Sequence, residues 1–517
     1  KINLNNVNFT GQGATGGVVA TAHNGIIDSC SVNGTITNQG DYTGGIAGEI
    51  NSTTITNCSF SGNIVGKSLV AGITGFLDND GTIKNCSSNG TIAGETHVGG
   101  IIGYSQFIDS LYQCYNTANI SSSSFAGGLI GYCYHPGYLP EISNCYNTGD
   151  VYADSCAGGA IGESYSTLEF SYCYSTGRVS EPNNPKGLVG TTYTTVTSNY
   201  SYFLHYGGYV DGTGGLKIDK MIVDDNYENW DFTNIWAINE GTTFPYLRWQ
   251  GEPGEHNVAK FVKDINNNHY ITVKIGNQEW MAENLKVENY NNGEEIIEWI
   301  PASDTTIQYE YGNYYSNSVV TDARGICPTG WQMPRNDDWN ELITYLGGVG
   351  VAGKKLKSIG KYGITIWNNN TGDGSTGFCA YPAGIYYDGY SGMGNRAMFW
   401  SKDLYDSSNV YCYVLSGDND SITTYHHDEL LNVRCVKTQE GKEYHSNIIL
   451  KQPIDISQTS VRLEVQVVTE GNMTELGRKF IVSETPDCTL ENGIAYDATE
   501  DFTAEITDLV CTKTYYY

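Results

Sequence analysis

The chain has 517 residues, more than a single hydrophobic core organises, so several domains are expected. Charged residues make up only 16%, yet the net charge is −29, a sign that argues against nucleic acid and anionic membrane surfaces as partners. Sixty-two glycines and 40 tyrosines, with little helix-forming composition, point to an all-β protein of extracellular type. No signal peptide and no membrane-spanning stretch stands out. Both ends look cut, at Lys1 with a repeat already running (Gly16-Gly17-Val18-Val19) and at Tyr515-Tyr516-Tyr517. We therefore expect a piece of a longer protein.

The first 205 residues are periodic. Cys30, Cys58, Cys86, Cys114, Cys145 and Cys173 are separated by 28, 28, 28, 31 and 28 residues. Gly45, Gly72, Gly100, Gly128, Gly159 and Gly187 keep the same step. Apolar residues stand three before each cysteine (Ile27, Ile55, Ile83, Leu111, Ile142, Phe170) and six after it (Ile36, Ile64, Ile92, Ile120, Val151, Val179). Short β-branched runs broken by glycine, asparagine and threonine are strands and turns, and one such unit buries nothing unless its neighbours stack on it. Residues 1–205 thus read as a parallel β-solenoid of roughly seven coils, with a rise of about 4.8 Å per coil. The cysteines should stack inside as a ladder of thiols. Disulfides between coils are the alternative, but stacked side chains point the same way, which suits the disulfide dihedral poorly. Asn57, Asn85, Gln113 and Asn144 should stack their amides at a corner.

The residue after each ladder cysteine is Ser31, Ser59 and Ser87, then Tyr115, Tyr146 and Tyr174. If cysteine points inward its neighbour points outward, so the later coils should carry a tyrosine stripe with rings about 5 Å apart. The stripe is a candidate platform for sugar rings or a partner protein. Its structural alternative is a ladder that packs its own sheet. The repeat resembles the GLUG repeat, its best match being Gly128-Leu129-Ile130-Gly131. Such repeats occur in secreted and surface proteins of bacteria, several of them proteases or adhesins.

Beyond Cys173 the cysteine is lost at Ser198-Asn199-Tyr200-Ser201-Tyr202, and the periodicity stops there. Residues 206–250, with Trp230, Trp236 and Phe244-Pro245-Tyr246-Leu247-Arg248-Trp249, suit a cap over the solenoid's open end. Residues 251–255 read as a linker. In 256–438 three phrases carry a second resemblance: Gln278-Glu279-Trp280-Met281-Ala282-Glu283-Asn284-Leu285, Cys327-Pro328-Thr329-Gly330-Trp331-Gln332-Met333-Pro334, and Phe399-Trp400-Ser401 with Val433-Arg434-Cys435-Val436. Together they resemble the Fibrobacter succinogenes major paralogous domain, which is similar to the C-type-lectin-like fold. The resemblance implies a helix over Asn336–Leu346 with Trp339, Leu342 and Leu346 on one face, and a disulfide Cys327–Cys435. Cys379–Cys412, Cys488–Cys511 and Cys133–Cys156 are further candidate pairs, all suited to an oxidising compartment. The Glu-Pro-Asn or Gln-Pro-Asp phrase of calcium-dependent lectins is missing from this domain. Residues 445–517, with alternation at Val461–Val467, resemble a fibronectin-type-III-like sandwich without its last strand.

Motifs for chemistry are scarce. His426-His427-Asp428-Glu429 lacks the second histidine of a zinc-protease helix, and there is no nucleophile elbow, phosphate loop or dinucleotide fingerprint. Gly417-Asp418-Asn419-Asp420 offers carboxylates for Ca²⁺ but reads more simply as a solvated turn. The expected fold class is mainly β: solenoid, lectin-like α+β domain, incomplete sandwich. The expected function is a secreted or cell-surface binding protein or adhesin, its solenoid a stalk and its partner a glycan or surface protein. The alternatives are a structural surface-layer or filament component and a polysaccharide-processing enzyme. No cofactor, no catalytic residue, no nucleic acid and no direct membrane insertion are expected.

Overall fold

The computed structural model of the protein describes residues 1–135, 140–180, 187–193, 195–204, 215–301, 311–358, 367–368, 372, 375–406, 409–427, 429–439, 442, 447–450, 454–455, 460–469, 479–482, 494–497 and 503–507. It is mainly β and begins with a parallel β-solenoid of about seven coils. One coil runs through the strands Ser59–Val65, Ser68–Ala71 and Thr74–Lys84. Strands stack in register on their counterparts one coil away. Ile36 lies on Ile64, Ile64 on Ile92, Ile92 on Ile120, Ile120 on Val151 and Val151 on Val179. Ile55, Ile83, Leu111, Ile142 and Phe170 form the facing column, and all five are buried. The apolar columns therefore zip into one core that no single coil could build.

The corners explain the asparagines. Ser29, Asn57, Asn85, Gln113, Asn144, Tyr172 and Tyr200, each just before a ladder position, all have φ between 48° and 55°. Asparagine tolerates that left-handed conformation better than most residues. Asn85 Nδ2 donates to Asn57 Oδ1 (3.2 Å), and Asn57 Nδ2 donates to Asp28 Oδ1 (2.8 Å), so the amides are linked in the early coils, whereas Asn144 Oδ1 instead accepts from Trp236 Nε1. The 31-residue coil keeps register with its neighbours. Gln106 pairs with Tyr134 and Ser110 with Glu141, so the three additional residues lie between Tyr134 and Glu141.

The six cysteines are free, buried thiols stacked along the core. Cys58, Cys114, Cys145 and Cys173 accept a backbone N–H from the previous ladder residue, as in Cys86 N to Cys114 Sγ (3.4 Å) and Cys145 N to Cys173 Sγ (3.3 Å). Each also donates to the carbonyl two residues back, as Cys145 does to Ser143 (3.2 Å). The ladder runs one coil further than the cysteines indicate. Ser201 takes the position 28 residues after Cys173, accepting its N–H (3.1 Å) and donating to Asn199 O (3.1 Å). A hydroxyl performs both tasks of the thiol, so the repeat changes residue without losing the coil.

After the last coil, Gly215–Leu216 adds a parallel strand to Tyr202–Leu204. The chain then folds back along the solenoid's flank through Ile218–Met221 and the antiparallel pair Trp236–Ala237 and Tyr246–Leu247. The stretch 251–255 leads into a 3₁₀ turn, Glu255–Asn257. Apolar residues from both sides of it, including Trp236, Leu247, Ala259 and Ile271, share one core.

The next domain has a five-stranded sheet ordered Phe261–Lys263, His269–Ile275, Gln278–Met281, Val436–Lys437, Trp331–Gln332. A second sheet joins Arg396–Leu404, Val410–Ser416 and Ile422–His427. The helix spans Asn336–Tyr345, opened by Asp338 accepting the Arg335 N–H (2.9 Å). Trp339, Leu342 and Leu346 are buried on one face, as the heptad-like spacing predicts. Cys327 and Cys435 form a disulfide. Arg434, fully buried, donates to Asn284 Oδ1 (2.7 Å) and to the carbonyls of Phe378 and Cys379, and it lies between the rings of Phe378 and Phe399.

Two other expected cysteine pairs are not formed. Cys412 sits in the core that also holds Cys327 and Cys435, whereas Cys379 occupies a left-handed turn (φ 51°) with its carbonyl bound by Arg434. Cys133 points into the solenoid interior, stacked between Ser105 and Ser164, while Cys156 lies at an outer corner (φ 57°) where Thr191 Oγ1 donates to its sulfur (3.3 Å). Cys488 and Cys511 lie outside the described residues. In 445–517 the strand Val461–Thr469 pairs with Asn447–Leu450 and Thr503–Ile506, around a small core of Leu463, Val482, Ala504 and Ile506.

Candidate functional site

Tyr115, Tyr146 and Tyr174 stack as the spacing predicts, with ring centroids 4.9 and 5.0 Å apart and planes within 4° of parallel. They point out of the solenoid, but not into solvent. Tyr146 and Tyr174 are fully buried under the folded-back segment, against Trp236, Trp230 and His256. Tyr146 Oη donates to Gln250 Oε1 (2.8 Å), and Tyr174 Oη to Pro245 O (2.6 Å). Burial pushes both phenols well above their ordinary range. The indoles also read the adjoining corner. Trp249 Nε1 donates to Gln113 O (2.9 Å), Trp236 Nε1 to Asn144 Oδ1 (3.0 Å), and Trp230 Nε1 to Tyr200 O (2.8 Å). Of the two readings, an open platform or a packing ladder, Tyr146 and Tyr174 take a packing role, in an internal interface with the return segment: alternation sets which way a side chain points, not what covers it.

A second aromatic column lies at the surface. It is built from Thr21, which follows Ala20, and then from the residue after the last glycine of each Gly-rich phrase, Glu49, Phe76, Tyr104, Tyr132, Glu163 and Thr191, in register on successive coils. The preceding glycines allow two legs of the coil to touch. A Cβ on Gly103 or Gly131 would meet backbone atoms of the neighbouring coil at 2.6 Å. Tyr42, Leu69, His97, Phe125 and Cys156, all at left-handed corners with φ between 55° and 61°, interleave with the column. Tyr42 stacks on Phe76 (5.3 Å), Phe76 is tilted against Tyr104 (5.4 Å), and Tyr104 stacks on Tyr132 (5.0 Å). His97 stacks on Phe125 (4.8 Å) and meets Tyr104 and Tyr132 edge-on. The result is a half-exposed herringbone of six rings with one carboxylate at each end, Glu49 and Glu163.

Charge is held back at this surface. Burial pulls the His97 imidazole down to about 4, so it is neutral near pH 7. Burial, helped by Glu163, pushes the Tyr132 phenol up to about 12. Burial likewise raises the Glu163 carboxyl, opposed by a hydrogen bond with Cys156. An uncharged apolar body rimmed by hydroxyls and carboxylates suits a ligand with apolar faces and neutral polar edges. The column was legible one residue beyond each Gly-x-x-Gly phrase, by the same in–out logic applied after each cysteine.

The run Gly417-Asp418-Asn419-Asp420 forms the turn between two strands of the second sheet. Asn419 Oδ1 caps Ser421, and the buried Lys357 ammonium donates to Asn419 O while facing Asp418 and Asp420. A cation supplied by the chain therefore already sits against this turn. Among the described residues no group of three or more His, Cys, Asp or Glu side chains is placed to hold a metal ion, and no helix is long and apolar enough to cross a membrane.

Fold and surface define a β-solenoid whose flank docks a tryptophan-rich segment, followed by sheet-rich domains. Residues 273–437 match the family model of the Fibrobacter succinogenes major domain. Among solved structures, one from Bacteroides ovatus, described as a "putative immunoglobulin A1 protease", is 18% identical over 43% of this chain and 77% of its own, with a TM-score of 0.32. Similarity at that level transfers neither fold nor activity. Comparison with curated proteins finds no match.

Proposed function

We propose that this chain belongs to a secreted or cell-surface bacterial binding protein, an adhesin, in which the solenoid is a rigid stalk that carries its own glycan-binding face. The observation that supports this reading is the surface column Phe76–Tyr104–Tyr132 with its interleaved His97 and Phe125. Neutral rings with phenol tips offer apolar contact and hydrogen bonds together, and the half-exposed Glu49 at one end accepts from hydroxyls. A net charge of −29 disfavours anionic ligands, so the class is a neutral glycan. The repeat is of GLUG type in this reading and 256–438 a lectin-like domain held at the stalk's end. The disulfide Cys327–Cys435 suits an extracellular location.

The enzyme alternative gains nothing from the column's two carboxylates. Glu49 and Glu163 are four coils apart, about 19 Å along the axis. Glycosidase pairs need roughly 5–10 Å. The test is a glycan array probed with the intact chain and with a Phe76→Ser, Tyr104→Ser, Tyr132→Ser triple variant. Binding to at least one neutral glycan should fall by roughly tenfold or more in a variant of unchanged circular dichroism. Equal binding by both proteins would sink the proposal.

A further inference from the structure

Lys442 lies just past the strand Val436–Lys437, at the exit from the domain closed by Cys327–Cys435. Its Nζ stands 2.5 Å from Asp338 Oδ1 and 2.8 Å from Glu341 Oε2. Asp338 and Glu341 are three residues apart on the helix Asn336–Tyr345, so they share one face. The Lys442 side chain is 12% exposed, that of Asp338 2% and that of Glu341 39%. A lysine, an aspartate and a glutamate thus meet in one nearly dry cluster, the lysine 104 residues along the chain from the aspartate.

The two oxygens of Asp338 are placed differently. Oδ2 accepts the Arg335 N–H (2.9 Å) and a hydrogen bond from Gln332 Nε2 (3.3 Å). Such donors polarise the carboxyl and stabilise negative charge that develops on that oxygen. Oδ1 faces the amine, and the carboxyl carbon is one bond beyond it, close to the roughly 3–3.5 Å of an attack geometry. Glu341 Oε2 is within reach to take a proton from Nζ. Burial works against the Lys442 charge, but its hydrogen bonds to Asp338 and Glu341 outweigh that and raise the ammonium above its ordinary range. The cluster therefore starts as an ion pair, and that pair already contains every proton needed to condense it to an amide.

We infer that Lys442 and Asp338 join in an intramolecular isopeptide bond, with Glu341 as the proton relay. Glu341 passes one proton from the ammonium to Asp338 Oδ1, which leaves a neutral amine beside a neutral acid. Nζ attacks Cγ; the C–N bond forms, and Oδ2 carries the charge among its N–H donors. Glu341 then passes a second proton to Oδ1, the C–Oδ1 bond breaks, and one water leaves. Glu341 ends as it began, and no oxidant, nucleotide or metal is consumed. The bond ties the segment that leaves the domain to the helix, a link that the disulfide, ending at Cys435, does not make.

The experiment measures the intact mass of the full chain under denaturing, reducing conditions. The chain should be lighter than its sequence by one water. Trypsin, which cuts after free lysines, should leave Lys442 uncut, and tandem mass spectrometry should find its peptide joined to the one that holds Asp338. Lys442→Arg keeps the charge and the ion pair but not the nucleophile, so it should fold as wild type and have its full mass. Glu341→Ala should form the bond at least about tenfold more slowly, read as a time course after cell-free synthesis. An ion pair alone gives the full mass in all three proteins, and that result overturns the inference. So does the same deficit in Lys442→Arg, cleavage of the wild type at residue 442, or an unslowed Glu341→Ala.

Discussion

His97 shows how a single corner residue couples packing to pH. Its ring lies among Phe125, Tyr104 and Tyr132, with Nδ1 2.9 Å from Thr96 Oγ1, and burial holds its pKa down to about 4 from an ordinary 6.5. The folded state thus refuses a proton that the unfolded chain accepts. Above about pH 6.5 both states are neutral and nothing is lost; as pH falls from 6.5 to about 4 the unfolded state gains protons and stability drops. His256, also held down by burial, acts in the same direction. Carboxylates such as Asp28, held at about 2 by hydrogen bonds from Thr56 and Asn57, act only at lower pH. The melting temperature should therefore decline between pH 6.5 and 4, and His97→Phe should flatten part of that decline while leaving values above pH 7 nearly unchanged. Differential scanning fluorimetry in half-unit steps checks it; an identical slope in the variant would refute the assignment. That a histidine belongs here was not legible from spacing, since the equivalent positions hold Ala14, Tyr42, Leu69, Phe125 and Cys156.

At the scale of elements, the tyrosine ladder and the tryptophan-rich return segment form one unit. Tyr146 has parallel rings on both sides, an indole across its face and a hydrogen bond to Gln250. Tyr146→Ser removes all of these and leaves a cavity, which should cost about 3 kcal/mol. Tyr146→Phe, losing only the hydrogen bond, should cost about 1 kcal/mol. Limited proteolysis between residues 215 and 250 reads the effect directly: cleavage should accelerate strongly for the serine variant and slightly for phenylalanine. A serine variant as resistant as wild type would mean that the segment is held elsewhere. The replacement of Ser31, Ser59 and Ser87 by tyrosine in later coils marks where docking begins, because only those coils have something to dock.

At the scale of the whole molecule, stability is distributed unevenly. The solenoid is a stack in which each coil leans on its neighbours, with thiols that need no oxidant. The following domain is closed by Cys327–Cys435 across a separation of 108 residues. Cross-linking a loop of that length contributes about 5 kcal/mol in the chain-entropy view. A mild reductant should therefore lower the melting transition of the second domain by several degrees and leave the solenoid transition in place. Coincident shifts of both transitions would contradict that independence. The shared core of Trp236, Ala259 and Ile271 sets the limit, since it is where unfolding of one part is felt by the other.

Sequence alone determined the coil, its register and the thiol ladder, because each rests on local periodicity repeated often enough to exclude accident; the helix now seen at Asn336–Tyr345 was implied by the family resemblance. It also determined that Tyr115, Tyr146 and Tyr174 face out of the solenoid. Tertiary structure alone decided what they face. It closed the tyrosine stripe under Trp230, Trp236 and Trp249, left Phe76, Tyr104 and Tyr132 uncovered, kept Cys133 from Cys156, and carried the ladder on to Ser201. For the two aromatic faces the physical reason is that periodicity specifies direction along a strand, whereas burial depends on which distant segment arrives at that face, and that is set by packing over 70 to more than 100 residues of intervening chain; the two cysteine outcomes are local, Cys133 lying inside the coil and Cys156 at its outer corner, and Ser201 taking over both hydrogen bonds of the thiol.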